Sequence, residues 1–368
     1  MKILVTGGAG FIGSHLVDAL VAKAHQVRIL DNLTPQVHRK GVPVWLNRSA
    51  EFVQGDVRDA DVLARALIGV DAVAHLAAEV GVAQSNYEVR RYVEANSGGT
   101  ANLLDILIKT GLRPALVIPG SMICYGEGLY RRADGAPVRP PIRTREMIDR
   151  YGWEPVCPES RAALVPVPTP EHAVQNIGSI YALTKFDQEK LGLNLGRLHS
   201  IPVTVLRFFN VYGPRQSLSN PYTGVTAIFM ARIKNARPPV IYEDGGQTRD
   251  FVSVHDVVRA IMAALVDRSA PGECLNIGSG VPTKIGELAR MMAAACGSSI
   301  APVVTGEFRD GDIRHCFADT TRASAALGFH PAVEIAQGLD ELVGWAETEE
   351  ATDMYEQAEA ELRRAGIL

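Results

Sequence analysis

Nothing in the 368 residues approaches the roughly 20 consecutive apolar positions that span a bilayer. A strong excess of one charge is missing as well. The 37 Lys and Arg nearly balance 41 Asp and Glu, for a formal net charge of −4. Such a chain has no general electrostatic pull toward nucleic acid or anionic lipid. Cysteine is scarce and scattered: Cys124, Cys157, Cys274, Cys296 and Cys316 are odd in number and contain no CxxC pair. That argues against a disulfide framework and against a thiolate zinc site, so no metal is expected. The opening MKILVTGG lacks the basic start, apolar stretch and cleavage site of a secretory leader, and a soluble cytoplasmic protein is expected. Internal repeats and low-complexity tracts are absent too. What remains is ordinary globular material, 47% hydrophobic and 21% charged, long enough for two domains or one large α/β domain with a lobe.

The N-terminal half alternates short apolar runs with helical spacing. The runs are Lys2–Thr6, Gln26–Asp31, Glu51–Gln54, Ala72–Ala77, Ala115–Pro119 and Val203–Phe208. Helical patterns lie over Phe11–Lys23, Asp59–Ile68, Tyr87–Thr110 and Ile180–Leu198. Fully apolar strands between amphipathic helices predict βαβ units, hence a doubly wound parallel sheet covered on both faces. This α/β domain is expected over residues 1–210, with 238–270 returning to it. A smaller C-terminal α/β substrate lobe is expected over 211–237 and 271–345, including a strand at Cys274–Ile277. A peripheral helix should close the chain at 346–368. Residues 126–174 break the rhythm with eight prolines and no periodicity, and read as a long loop, lid or insertion.

The first strand runs into ILVTGGAGFIGSHL, where Gly7, Gly10 and Gly13 stand at GxxGxxG spacing. The three glycines permit a tight turn, close approach of a pyrophosphate, and close packing of helix on strand. The phosphates then meet free backbone N–H groups at the positive end of a helix. Asp31 closes the next strand, 18 residues after Gly13. A carboxylate there accepts hydrogen bonds from ribose hydroxyls and repels a 2′-phosphate, which favours NAD over NADP. Asp56 and the pair Ala77-Ala78 fit a cofactor lying along the carboxyl ends of the strands.

A second constellation sits in the middle of the chain. Tyr181 and Lys185, at i and i+4 in SIYALTKFDQEK, share one helical face. An adjacent ammonium stabilises phenolate and should lower the tyrosine pKa toward working pH, making a general acid/base for a hydroxyl. Ser121 follows the apolar run ALVIPG at a strand end, where its hydroxyl can hold the same substrate oxygen.

These motifs, with HLAA (75–78), NSGGTANLL (96–104), RFFNVYGPRQ (207–216), GGQTRDFVSVHDV (245–257) and RDGDIRHCFAD (309–319), give the chain its likeness. It resembles the extended short-chain dehydrogenase/reductase family, in its NAD-dependent nucleotide-sugar epimerase/dehydratase branch. LSNPYTGVTAIFMARI (218–233) and the long insertion make the likeness closest to a dTDP-L-rhamnose 4-epimerase-like subgroup. The resemblance implies a catalytic triad of Ser121, Tyr181 and Lys185. It implies a tightly held, recycled NAD bound by Gly7, Gly10, Phe11, Ile12, Asp31 and Asn32. Asp56, Val57, Leu76, Ala77, Ala78, Asn96, Tyr181 and Lys185 would complete that site. Ser121, Met122, Asn210, Arg249, Arg309 and Asp312 would bind the nucleotide-diphosphate sugar, arginine being apt for phosphate oxygens. A homodimer formed through the helices bearing Asn96 and Tyr181 is also implied.

Within the branch, 4,6-dehydratases carry an Asp-Glu pair directly after the catalytic Ser or Thr. Here Met122 and Ile123 stand there and cannot move a proton, which disfavours dehydration. Asp31 weighs against an NADPH-consuming ketoreductase. A 4-epimerase acting on a TDP- or UDP-linked hexose or 6-deoxyhexose is expected. A ketoreductase or dehydratase is the alternative, and a non-catalytic NAD-sensing protein the distant one.

Overall fold

The computed structural model describes residues 1–267, 270–309 and 311–367. Asp310, inside the 309–319 motif, lies outside them. Seven strands form one sheet: β1 (Lys2–Thr6), β2 (Gln26–Asp31), β3 (Glu51–Gln54), β4 (Ala72–His75), β5 (Ala115–Ser121), β6 (Val203–Phe208) and β7 (Cys274–Ile277). They lie in the order β7-β6-β5-β4-β1-β2-β3, and every neighbouring pair is parallel. Pleating splits their apolar side chains between two cores. Ile3, Val5 and Ile29 join one cluster with Leu16, Val257 and Ile261. Leu4, Leu30 and Leu116 join the opposite one with Leu63, Leu103 and Leu107. Helix α1 (Phe11–Ala22) covers the first face, and α2 (Gly99–Thr110) and α3 (Ile180–His199) the second. Helix α4 (Val254–Met262) packs beside α1. The chain reverses direction of winding between β1 and β4. In a sheet of this kind the ligand crevice opens at the carboxyl ends of those strands.

Some boundaries differ from the sequence reading. Cys274–Ile277 pairs in register with Val205–Phe208 as the seventh strand of the main sheet, not as part of the lobe. Short apolar strands of either domain look alike in one dimension, and only pairing separates them. Val240–Ile241 pairs instead with Val303–Val304 inside the lobe. The lobe has its own core, built from Phe229, Met230, Leu288, Met292, Leu339 and Leu342. The helix expected over Tyr87–Thr110 is interrupted by a π-helical turn at Val93–Gly98. Residues 126–174 are not structureless: Leu129–Arg131 pairs antiparallel with Pro137–Val138 and with Val165–Val167, and Arg145–Tyr151 is a helix. Tyr130, Val138, Cys157 and Leu164 give the insertion a small core. The last helix, α5 (Tyr355–Arg364), is not merely peripheral, since Tyr355, Ala358 and Leu362 reach the wall of the central cavity. Among the described residues no helix is long and apolar enough to cross a membrane.

Candidate active site

One cavity of about 650 Å³ runs from the glycine loop, past the ends of β4, β5 and β6, into the lobe. At one end, Gly7, Gly10, Phe11 and Ile12 form its floor. Gly7 has φ +69°, and a Cβ there would lie 2.8 Å from the Ala77 nitrogen. Gly10 caps α1 with no side chain to satisfy the first amides of the helix. A Cβ on Gly10 would meet only the Gly7 carbonyl, at 3.3 Å, and otherwise project into open space. Free N–H groups, a positive helix end and a cradle that a methyl group would occupy fit a pyrophosphate.

Asp31, Asn32, Asp56 and Val57 line the same end. The Asp31 carboxylate is braced from both sides, accepting from the Ala9 amide at 3.0 Å and the Leu33 amide at 2.9 Å. Its lone pairs are not exhausted by these two bonds, leaving acceptor capacity for ribose hydroxyls. Asp56 accepts two hydrogen bonds from the Arg58 side chain and one from Asn32. Partial burial pushes its pKa up, but these donors outweigh it and hold Asp56 down to about 2. Arg58 thus joins this end of the cavity. Its signal in the sequence was only its place two residues after Asp56.

Leu76, Ala77 and Ala78 continue the wall, and Ser121, Met122, Tyr181 and Lys185 form its centre. Tyr181 and Lys185 occupy the first turns of α3, whose Gly192 and Gly196 let the helix lie close on Ile118 and Val203 of the sheet. Ser121 ends β5 beside Tyr181 on the cavity wall, its hydroxyl oxygen accepting from the Ile123 amide at 3.3 Å. The sequence predicts a lowered tyrosine pKa. In the chain alone the direction is opposite: burial raises it, and only the neighbouring Ser121 hydroxyl pulls the other way. The physical reason is where Lys185 points. Its ammonium donates to the Pro119 carbonyl at 3.2 Å and to Gln188 at 2.8 Å.

Burial pulls Lys185 itself down, from 10.5 to about 8, with Cys124 opposing. That fall is worth about 3 kcal/mol against the charged form. The folded chain therefore binds this proton less well than the unfolded chain between pH 8 and 10.5, and stability rises with pH through that window. Lys185→Met should stabilise the cofactor-free protein by up to about 3 kcal/mol at pH 7. The gain should vanish as the pH is raised past 8 toward 10.5. Thermal melts of both proteins across about pH 6–10 check this; a Met variant less stable at pH 7 contradicts it.

Asn96 is the one proposed site residue that does not reach the cavity wall. It is fully buried in the π-helical turn, accepting from the Glu79 amide at 2.7 Å and donating to the Glu79 carbonyl and to Thr184. Its amide fixes the backbone of Glu79, which does line the cavity, and ties it to the helix carrying Tyr181.

At the lobe end stand Asn210, Arg249, Arg309 and Asp312. The Asn210 Oδ1 is buried without a hydrogen-bond partner, an acceptor or flipped amide still to be satisfied. Arg249 is held through the carbonyls of Thr248, Ile313 and Arg314, neutral partners that leave its charge uncompensated by them. Arg309 pairs with Asp312 at 2.9 Å and stacks 4.3 Å over the Tyr242 ring. Tyr242 in turn shares a 2.8 Å hydrogen bond with Tyr355 of α5. Sequence reasoning missed both tyrosines. The strand spacing of Tyr242 and the heavily charged pattern around Tyr355 carried no sign of a shared aromatic wall.

Comparison with known proteins adds an independent line. Residues 3–147 and 162–278 match the model of the NAD dependent epimerase/dehydratase family. The dTDP-L-rhamnose 4-epimerase of Burkholderia thailandensis is 40% identical over 354 residues, covering 94% of each chain. The UDP-glucose 4-epimerase of Thermotoga maritima, solved with UDP-glucose, superposes with a TM-score of 0.77 at 32% identity, over 94% of this chain and 99% of that one. The UDP-glucose 4-epimerase of Thermus thermophilus, solved with NAD, gives 0.75 at 28% identity, over 95% of this chain and 100% of that one. Fold, glycine cradle and matched residues agree, and the chain belongs to the NAD-dependent epimerase/dehydratase family of extended short-chain dehydrogenases/reductases.

Proposed function

We propose that the protein is an NAD-dependent nucleotide-sugar 4-epimerase, inverting C4 of a TDP- or UDP-linked hexose or 6-deoxyhexose through a transient 4-keto sugar. The observation that carries this reading is the shared cavity. It joins a dinucleotide cradle, the Ser121–Tyr181–Lys185 group and a guanidinium pair in one continuous space. Gly7, Gly10, Phe11 and Ile12 would hold the NAD pyrophosphate, and Asp31, Asn32, Asp56 and Val57 its adenosine half. Leu76, Ala77, Ala78 and Lys185 would flank the remainder, with Asn96 positioning from behind. NAD, when bound, supplies a hydride acceptor and donor that is restored each turnover, together with the positive charge of its oxidised ring.

Tyr181, as phenolate, takes the proton from the sugar 4-hydroxyl and later returns it. Ser121 holds the same oxygen through its hydroxyl, and Lys185 stabilises the phenolate. Asn210, Arg249 and Arg309 would bind the diphosphate by charge-assisted hydrogen bonds, with Asp312 beside them and Met122 closing the sugar side. Met122 and Ile123 also leave no proton-transfer group after Ser121 for elimination of water.

The test is to incubate purified protein with TDP-, UDP- and GDP-sugars without added cofactor and read product stereochemistry by NMR. C4 inversion with no net redox change is expected. Stoichiometric NADH or NADPH consumption would mark a ketoreductase, a 4-keto-6-deoxy product a dehydratase, and NAD binding without any turnover a sensor. We also propose a homodimer through α3 and the helical segment before α2, where Val89, Val93 and Leu183 are exposed apolar side chains. Light scattering should give the mass of two chains, and a monomer mass would rule it out.

A further inference from the structure

The insertion at 126–174 carries charged side chains that the proposed chemistry does not use. Two of them, Glu127 and Arg143, belong to a buried charged cluster. Arg143 is 3% exposed, and each of its five N–H donors has an acceptor. Nε faces Glu127 at 3.4 Å. Nη1 donates to the Trp153 carbonyl at 3.2 Å and to Glu243 at 3.0 Å. Nη2 donates to Glu243 at 2.7 Å and to the backbone carbonyl of Asp312 at 3.0 Å. Glu127, equally buried, accepts from the backbone amides of Arg314 at 2.6 Å and His315 at 3.2 Å. Glu243 also accepts from the Arg314 side chain at 2.9 Å.

Three of these bonds end on the main chain between residues 312 and 315. That segment presents the Asp312 carboxylate that orients Arg309. Its Ile313 and Arg314 carbonyls seat the Arg249 guanidinium. We propose that Arg143 and Glu127 are positioning residues for nucleotide-diphosphate recognition. In this role the insertion is a brace that holds the 312–315 backbone, and through it Arg249 and Arg309, in the geometry that grips the diphosphate. A forked guanidinium suits the task, because its planar donors reach two carboxylates and two carbonyls in fixed directions, which an ammonium cannot do. Displacement of binding groups by about 1 Å is enough to cost large factors in function. The glycine loop and β1 lie outside this network, so NAD binding should be indifferent to it.

The inference rests on the reading that this end of the cavity takes a nucleoside diphosphate, and the experiment separates the two. Affinity for TDP and UDP is measured by calorimetry on the NAD-loaded protein. The proteins compared are the wild type, Arg143→Lys, and the double variant Arg143→Met/Glu243→Gln. The double variant removes the Arg143–Glu243 charge pair together, while Glu127 keeps its bonds from the Arg314 and His315 amides and Arg314 keeps Glu154 and Asp244. If the wild type binds neither nucleotide, the functional reading fails. If it binds, both variants should weaken binding about tenfold or more while NAD content stays at wild-type level. With a sugar substrate, KM should rise and kcat stay within about threefold. Unchanged nucleotide affinity in either folded variant overturns the inference. So does NAD loss in parallel with nucleotide loss, or failure of both variants to fold, since either would make the cluster a support of the whole fold.

Discussion

Tyr181→Phe should lower turnover by about 10³-fold while the purified protein still carries its NAD. The substitution removes one oxygen and keeps the ring that forms part of the cavity wall, packed edge-on against Tyr92 at 6.4 Å between centroids. Cofactor retention should therefore change little. The proton of the 4-hydroxyl, however, loses its acceptor. Ser121 cannot substitute, because a neutral hydroxyl is far too weak a base. Met122 and Ile123 offer no alternative. Burial raises the Tyr181 pKa in the chain alone, so the phenolate depends on positive charge brought close to it. Lys185 has to turn from the Pro119 carbonyl and Gln188 to contribute. A residual rate within about tenfold of wild type, with NAD still bound, would place the proton transfer elsewhere. The comparison is made by single-turnover kinetics alongside the absorbance of released NAD.

The parts of this site that were legible in the sequence are those governed by local spacing. Gly7, Gly10 and Gly13 are read from one turn and one helix, and Tyr181 and Lys185 from a single helical face. Asp31 is fixed by its distance from the glycine loop. All of these line the cavity. What was not legible depends on pairing between distant segments. Cys274–Ile277 has the same apolar texture whichever sheet receives it, and only its register with β6 assigns it. Asn96 sits in a motif that predicts proximity to the cofactor, yet the π-helical turn points its amide inward to Glu79 and Thr184. A helical periodicity of about 3.6 cannot foresee that local widening.

The charged cluster is the sharpest case. Glu127, Arg143, Glu243 and Arg314 lie far apart in the chain, and each alone reads as a solvated surface charge. Together they are almost completely buried and link the insertion to the lobe. The odd proline-rich composition of residues 126–174 set them apart from the alternating pattern on either side. It could not show that the segment folds as a small sheet and spends its charges on a neighbouring loop.

The glycine loop allows a second large effect to be divided into its causes. A Cβ on Gly13 would lie 2.2 Å from the Gly7 carbonyl oxygen and 2.7 Å from the Gly8 Cα. Both are backbone atoms of the turn that follows β1, so no side-chain rotation relieves the clash. Gly13→Ala must push α1 away from β1, straining the core where Leu16 and Leu20 meet Ile3 and Val5. A loss of roughly 3 kcal/mol in stability is expected, at the upper end for an overpacked core. NAD affinity should fall with it by about 100-fold, because the amides at the start of the helix leave their places. Gly10→Ala is the informative contrast. Its Cβ meets only the Gly7 carbonyl, at 3.3 Å, and projects toward the cavity rather than into the strand. That variant should melt near the wild-type temperature yet bind NAD about 100-fold more weakly, since the methyl group stands where the pyrophosphate must approach. Melting curves and NAD titrations on both variants test the division. If Gly10→Ala retains full NAD affinity, the cradle is not the phosphate site. If Gly13→Ala melts like the wild type, close packing of helix on strand is not what the third glycine secures.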